Sequence, residues 1–111
     1  MVVVVVMVVW VVVLFRDTAS GPLMRDLVGQ AGRDPEIARA IRERWLAPRR
    51  AVTSEILRIG MARGEIRPDI DIGVASDQLF APIYHRLFFG HEPLDDALAD
   101  RLVEQAMAGL A

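Results

Sequence analysis

The chain has 111 residues, of which 53% are hydrophobic and 25% are charged, and this balance predicts one globular domain rather than a polar disordered segment. It has no cysteine, which excludes disulfides, thiolate zinc sites and cysteine nucleophiles. Its net charge of -2 gives the molecule as a whole no attractive field for nucleic acid.

The first fifteen residues differ from the rest, because they are uncharged and contain ten valines. The run is shorter than the ~20 residues of a transmembrane helix, and no basic region precedes it as in a signal peptide. Valine favours strands, but no second strand pattern follows. A buried helix, a misassigned start, a membrane or export segment and a buried strand therefore remain open for residues 1–16. Residues 17–111 form the predicted helical domain.

Helical spacing dominates after Arg16. Ser20 is a candidate cap for a short helix with Pro22 in its first turn. Residues 34–36, Asp-Pro-Glu, predict the start of one long helix over 35–63, or of two nearly collinear helices, that Gly64 ends. The proline at position 48 predicts a bend in that helix. A single apolar stripe is expected to cross this bend without changing face, along Ile37, Ile41, Trp45, Pro48, Val52, Ile56 and Ile59.

The next predicted helix covers residues 72–89 and is apolar on two faces. A helix of this kind must be covered on both sides, and in so short a chain one cover is expected to come from a second copy. The last helix repeats leucine or alanine every four residues from Leu94. Together these two helices predict an all-α helical bundle whose last two helices form an intersubunit four-helix bundle.

Several segments over residues 33–111 are similar to the C-terminal half of TetR-family transcriptional regulators. They are RDPEIA at 33–38, RERWLAPRR at 42–50, ARGEIRPD at 62–69, APIYHRL at 81–87 and EPL at 92–94. The resemblance implies a homodimerisation domain that also binds a hydrophobic small-molecule effector. It implies that DNA is contacted only through an N-terminal helix-turn-helix, and we find no such pattern in this sequence.

The resemblance also implies site residues. Candidates for the effector pocket are Trp45, Leu46, Ile56, Leu79 and Tyr84. Candidates for the dimer interface are Phe80, Ile83, Tyr84, Leu87 and Phe88 in the penultimate helix, and Leu98, Leu102, Val103 and Ala106 in the last.

Other chemistry is weakly supported by the sequence. His85 and His91 are six residues apart and cannot share one side of a regular helix, so we predict no metal site. The arginines over 39–50 are interpreted as a solvated helix face rather than an anion-binding patch. No serine lies in a nucleophile-elbow context and no glycine-rich phosphate loop is present, so neither an enzyme nor a cofactor is predicted.

Two functions are carried forward. The first is the ligand-sensing and dimerisation domain of a TetR-like regulator without its own DNA-binding head, in the cytoplasm and away from the membrane. The alternative is a small helical interaction protein with a membrane-associated N-terminal segment, for which the valine run would serve as the anchor.

Overall fold

All regular structure in the computed structural model, which describes residues 2–111, is helical. The elements are α1 (Val2–Asp17), α2 (Ser20–Ala31), α3 (Pro35–Ala40), a π-helical turn (Ile41–Leu46), α4 (Ala47–Ala62), α5 (Ile72–Phe89) and α6 (Asp96–Leu110). This architecture confirms the predicted all-α class.

The valine run forms α1, so its interpretation as a strand is wrong. Val4, Val8 and Val12 are at most 2% exposed, whereas Val6 on the other side is 60% exposed. The buried side packs on α6, α2 and α5. Contacts with neighbouring helices override the strand preference of valine. In the described part of the chain, no single helix is long and apolar enough to cross a membrane; α1 and α2 together pass that test, with an 84° bend between them.

The turn between α1 and α2 depends on a glycine. A Cβ added at Gly21 would collide with the backbone carbonyl oxygen of Phe15 and lie 3.4 Å from Leu87 Cδ1. Thr18 accepts a hydrogen bond from the Ser20 amide, at 3.1 Å. Ser20 is therefore not the predicted cap, because it lies inside the first turn and Ala19 precedes the helix without a side-chain bond.

The long predicted helix is continuous in sequence but contains a π-helical turn directly before Pro48. Asp34 caps its start by accepting from the amides of Glu36 and Ile37, as predicted. Within the turn, the Ala47 amide donates to the carbonyl of Arg42, five residues earlier. Proline has no amide hydrogen and crowds the carbonyl four residues before it, and a π turn accommodates both effects.

The apolar stripe does change position at this turn, so that part of the prediction is wrong. The predicted residues Val52 and Ile59 are 55% and 47% exposed, and the buried residues of α4 are Thr53, Leu57 and Gly60. A π turn holds one more residue than an α turn, and the inward positions after it move one residue along the chain. Position 49 is accordingly half-buried, whereas position 48 is exposed.

Helices α5 and α6 form the other side of the bundle. Asp71 caps α5 through the Val74 amide, and Gly90 ends it in the left-handed conformation at φ 63°. Asp95 caps α6 through the Leu98 amide, so Leu94 lies in the preceding loop rather than in the predicted helix. Arg16 at the end of α1 is 3.0 Å from Asp96 and ties α1 to the start of α6.

Candidate functional site

A cavity of about 900 Å³ lies between α1, α4 and α5. We call it the central cavity. Its apolar wall consists of Val6, Met7, Trp10 and Val11 from α1, of Leu46, Pro48 and Val52 at and after the π turn, and of Phe80, Ala81, Phe88 and Phe89 from α5. A volume of this size accommodates a drug-sized molecule.

Polar side chains enter this wall from α4 and the first half of α5. Arg49, Thr53 and Ser76 all line the central cavity. The Thr53 hydroxyl donates to the Arg49 carbonyl at 3.0 Å and is thereby satisfied. The Ser76 Oγ and the Arg49 Nε are buried and have no hydrogen-bond partner among residues 2–111. Few polar groups in a mostly apolar wall are typical of a site that orients a ligand.

An aromatic cluster supports one side of the central cavity. The Trp45 Nε1 donates to the Tyr84 hydroxyl at 2.6 Å. The Phe15 ring centroid lies 5.8 Å from that of Trp45 and 5.3 Å from that of Tyr84. The Arg49 Cζ is 3.3 Å from the centroid of the Trp45 ring. Arg49 therefore covers the indole and lines the central cavity in its place.

The environment of Tyr84 changes its acidity. Burial raises the pKa of Tyr84 above its ordinary value, while the Trp45 hydrogen bond and the positive charge of Arg49 oppose that rise. The phenol therefore stays neutral at physiological pH and offers a hydroxyl to the central cavity.

The exposed rim of the central cavity carries opposite charges and the imidazole of His85. Arg50 Nη1 lies 3.5 Å from Asp77 Oδ1, which links α4 to α5. The His85 ring is 5.1 Å from Phe89 and 4.6 Å from His91. The two histidines meet because α5 ends before His91, so they do not lie on one regular helix. Among residues 2–111, no three histidine or acidic side chains are grouped as a metal site would need.

The structure brings only some of the predicted pocket residues to the central cavity. Leu46 and Tyr84 line it. Trp45 lies behind Arg49 and lines a separate cavity of about 290 Å³ between α2, α3 and the π turn. Leu79 is fully buried in the core, and Ile56 packs against that core.

The residues that sequence reasoning missed come from two sources. Those of α1 were hidden because every position in the valine run is apolar, so no periodicity marks its inner side. Arg49 was placed on a solvated face, and that assignment is wrong because the π turn moves position 49 inward. The exposed residues Arg39, Arg42, Arg44 and Arg50 do match the predicted solvated face.

The predicted dimer residues divide into three groups. Ile83, Leu87, Leu98 and Val103 are buried within the chain itself. Phe80, Tyr84 and Phe88 line the central cavity. Leu102 and Ala106 on α6 are half-buried and accessible. Phe89, the last residue of α5, is 74% exposed and was not among the predicted residues.

Comparisons with known proteins agree on one family. Residues 4–106 match the family described as "Tetracyclin repressor-like, C-terminal domain". The chain is 30% identical over 96 residues to the uncharacterized HTH-type transcriptional regulator YdeS of Bacillus subtilis (strain 168), covering 86% of this chain and 48% of that protein. The crystal structure of the TetR family transcription regulator SCO0332 superimposes with a TM-score of 0.83 at 38% identity, over 89% of this chain and 54% of that one. The chain thus spans about half the length of these relatives.

Proposed function

Because the chain belongs to the TetR family of transcription regulators as its C-terminal domain, we propose that it binds a small hydrophobic effector in the central cavity and forms a homodimer. The observation that carries the proposal is the cavity itself, since α5 lines it with one face and packs in the core with the other. The proposal gives the chain no catalytic role.

The shared helix suggests how a bound effector would act. Phe80 and Tyr84 line the central cavity, while Ile83 and Leu87 on the same helix lie in the core under α6. An effector that favours one position of α5 would shift the population of dimer arrangements. The dimer would pass this change to DNA-binding domains of the whole regulator. This role places the protein in the cytoplasm, where a regulator can reach the chromosome.

Effector binding is tested with N-phenyl-1-naphthylamine, an uncharged dye that fluoresces in apolar sites. We expect saturable binding to the wild-type chain and a loss of about tenfold or more in affinity for Ala81→Trp, whose indole would occupy part of the central cavity. Ala97→Trp is the matched control, because Ala97 is exposed on α6 and lies outside the cavity. Equal binding by both variants would contradict the assignment of the site.

Dimerisation is proposed through the outer side of α5 and α6, where Leu102, Ala106 and Phe89 are accessible. Leu102→Glu would place a charge in an apolar contact, and we expect the dimer to dissociate to monomers in analytical ultracentrifugation. Ala97→Glu is the control, because it adds the same charge elsewhere on α6. A Leu102→Glu chain that remains a dimer would place the interface elsewhere.

The packing of α1 supports this function over a membrane-associated interaction protein. Val8 and Val12 are fully buried and Phe15 contacts Trp45 and Tyr84. Withdrawing α1 into a membrane would therefore expose the core and remove one wall of the central cavity. If α1 is a membrane anchor, deleting residues 1–15 should leave a folded bundle. If α1 is part of the regulator domain, the same deletion should unfold the rest of the chain.

A further inference from the structure

We propose that the effector is an amphipathic anion: an apolar body that carries a carboxylate, sulfonate or similar group, which Arg49 and Ser76 bind. This inference rests on the proposed function, because it specifies the chemistry of the molecule that the central cavity takes. It is carried by two buried polar groups whose hydrogen-bonding capacity the protein itself leaves unused.

Arg49 supplies the positive charge. Its guanidinium is held against the cavity wall by stacking on Trp45 at 3.3 Å and by one bond from Nη1 to the Trp45 carbonyl at 3.2 Å. Its Nε is buried without a partner. No carboxylate lies within ion-pair distance of it among residues 2–111. A half-buried arginine whose guanidinium is fixed in this way is preorganised for an anion.

Ser76 supplies a hydrogen-bond donor at the same cavity. The residue is 2% exposed, and its Oγ is buried with no partner in the protein. A buried hydroxyl without a partner costs free energy, and a ligand oxygen would recover it. Thr53 nearby does not share this property, because its hydroxyl donates to the Arg49 carbonyl.

The charges that line the central cavity favour an anion over a cation. Asp77 is the one carboxylate among its described lining residues, and it pairs with Arg50 at 3.5 Å on the solvent-exposed rim. Arg49 is left without a neutralising partner in the wall. A cationic ligand would be repelled by the Arg49 guanidinium, and an uncharged ligand would leave that guanidinium without a counterion.

The remainder of the wall requires an apolar body. Trp10 and Val6 from α1 face Phe80 and Phe88 from α5 across the central cavity, and Val52 lies on the α4 side. These side chains bury hydrocarbon or aromatic surface and offer no hydrogen bonds. The anionic group would therefore bind at Arg49 and the rest of the molecule along α1 and α5.

The test uses two dyes with one ring system. 8-Anilino-1-naphthalenesulfonate carries a sulfonate, and N-phenyl-1-naphthylamine lacks it. We expect the wild-type chain to bind the sulfonate about tenfold more tightly than the neutral dye, and Arg49→Gln to bring the ratio of the two affinities to about one. Ser76→Ala is expected to lower that ratio by about threefold to tenfold.

Controls separate charge from structure. Arg58→Gln removes an exposed arginine of the same helix that pairs with Glu55, and it should leave both dyes unaffected. Arg49→Lys keeps the charge and should retain part of the preference, and circular dichroism establishes that each variant is folded. If Arg49→Gln does not fold, the ratio of sulfonate affinity to neutral-dye affinity in the Ser76→Ala and Arg49→Lys chains tests the anion assignment instead.

The outcomes distinguish the two proposals. Equal wild-type affinity for the two dyes, or an Arg49→Gln chain that loses both equally, overturns the anion assignment while the cavity remains the effector site. Binding of neither dye overturns the proposed function and the anion assignment with it. A sulfonate preference that only Arg49 and Ser76 variants reduce supports both.

Discussion

The two faces of α5 are both apolar but have different surroundings. Leu79 and Ile83 are fully buried, packed in the core beneath the helix. Phe80 and Tyr84, one position along from each, are half-buried and line the central cavity. Apolar periodicity identifies both rows, but it does not distinguish a row that meets side chains from one that meets open volume. Mutations on the two faces should therefore have different consequences.

The largest expected difference is in stability. Leu79→Ala would leave a cavity in a filled core, and we expect the free energy of unfolding to fall by about 2–5 kcal/mol. Phe80→Ala would enlarge an existing cavity and should cost clearly less, while weakening binding of N-phenyl-1-naphthylamine. Urea denaturation of both variants measures the contrast. Equal losses would mean that the central cavity is filled by packing when the protein is in solution.

The next largest loss of stability is expected at the core face of α5, where α2 approaches it. Gly21→Ala would drive a methyl group into the Phe15 carbonyl and toward Leu87, and we expect a loss of about 1–3 kcal/mol. Gly29→Ala on the same helix is the control, because a Cβ there meets nothing within 4 Å. That change should stabilise the chain, by up to about 1 kcal/mol. A Gly21→Ala chain as stable as the control would refute the close approach of α1 and α2.

The smallest effect concerns the cavity face. Tyr84→Phe removes the acceptor of the Trp45 indole and should cost about 1 kcal/mol at neutral pH. Since the pKa of Tyr84 is raised by folding, its contribution to stability is present below pH ~10 and is lost as the pH rises through the folded pKa. Tyr84→Phe should remove this alkaline loss. It is the chain's one tyrosine, so tyrosinate absorbance reports its titration directly.

The same titration can also contradict the burial of Tyr84. If tyrosinate forms in the folded chain at the pH typical of free tyrosine, Tyr84 is not buried against Trp45 and Phe15. The aromatic side of the central cavity would then be open to water.

The elements that sequence reasoning located well have strong local signals. Helix α5 begins and ends as predicted, because Asp71 caps it and Gly90 adopts the left-handed conformation that glycine tolerates best. Asp34 and Pro35 likewise start α3 as predicted. These signals lie within a few residues of the helix ends, so one sequence contains them in full.

The candidate site was harder to predict, for two physical reasons. Of Trp45 and Leu46, both predicted for the pocket, only Leu46 lines the central cavity. The π turn changes the phase of α4, and that change brings Arg49 to the cavity wall beside Pro48. In α1, a sequence of valines has no polar positions to mark the exposed side, so Val6 and Val8 read alike although only Val8 is buried.

Binding of the effector in the central cavity is tested most directly by nuclear magnetic resonance. The chain has two tryptophans, and their indole N–H signals are resolved from the backbone. Titration with N-phenyl-1-naphthylamine should shift the Trp10 indole and the amides of α5 around Phe80 saturably, while the amides of α2 stay unchanged. Shifts confined to α2 and α3, or spread evenly over the protein, would contradict the claim.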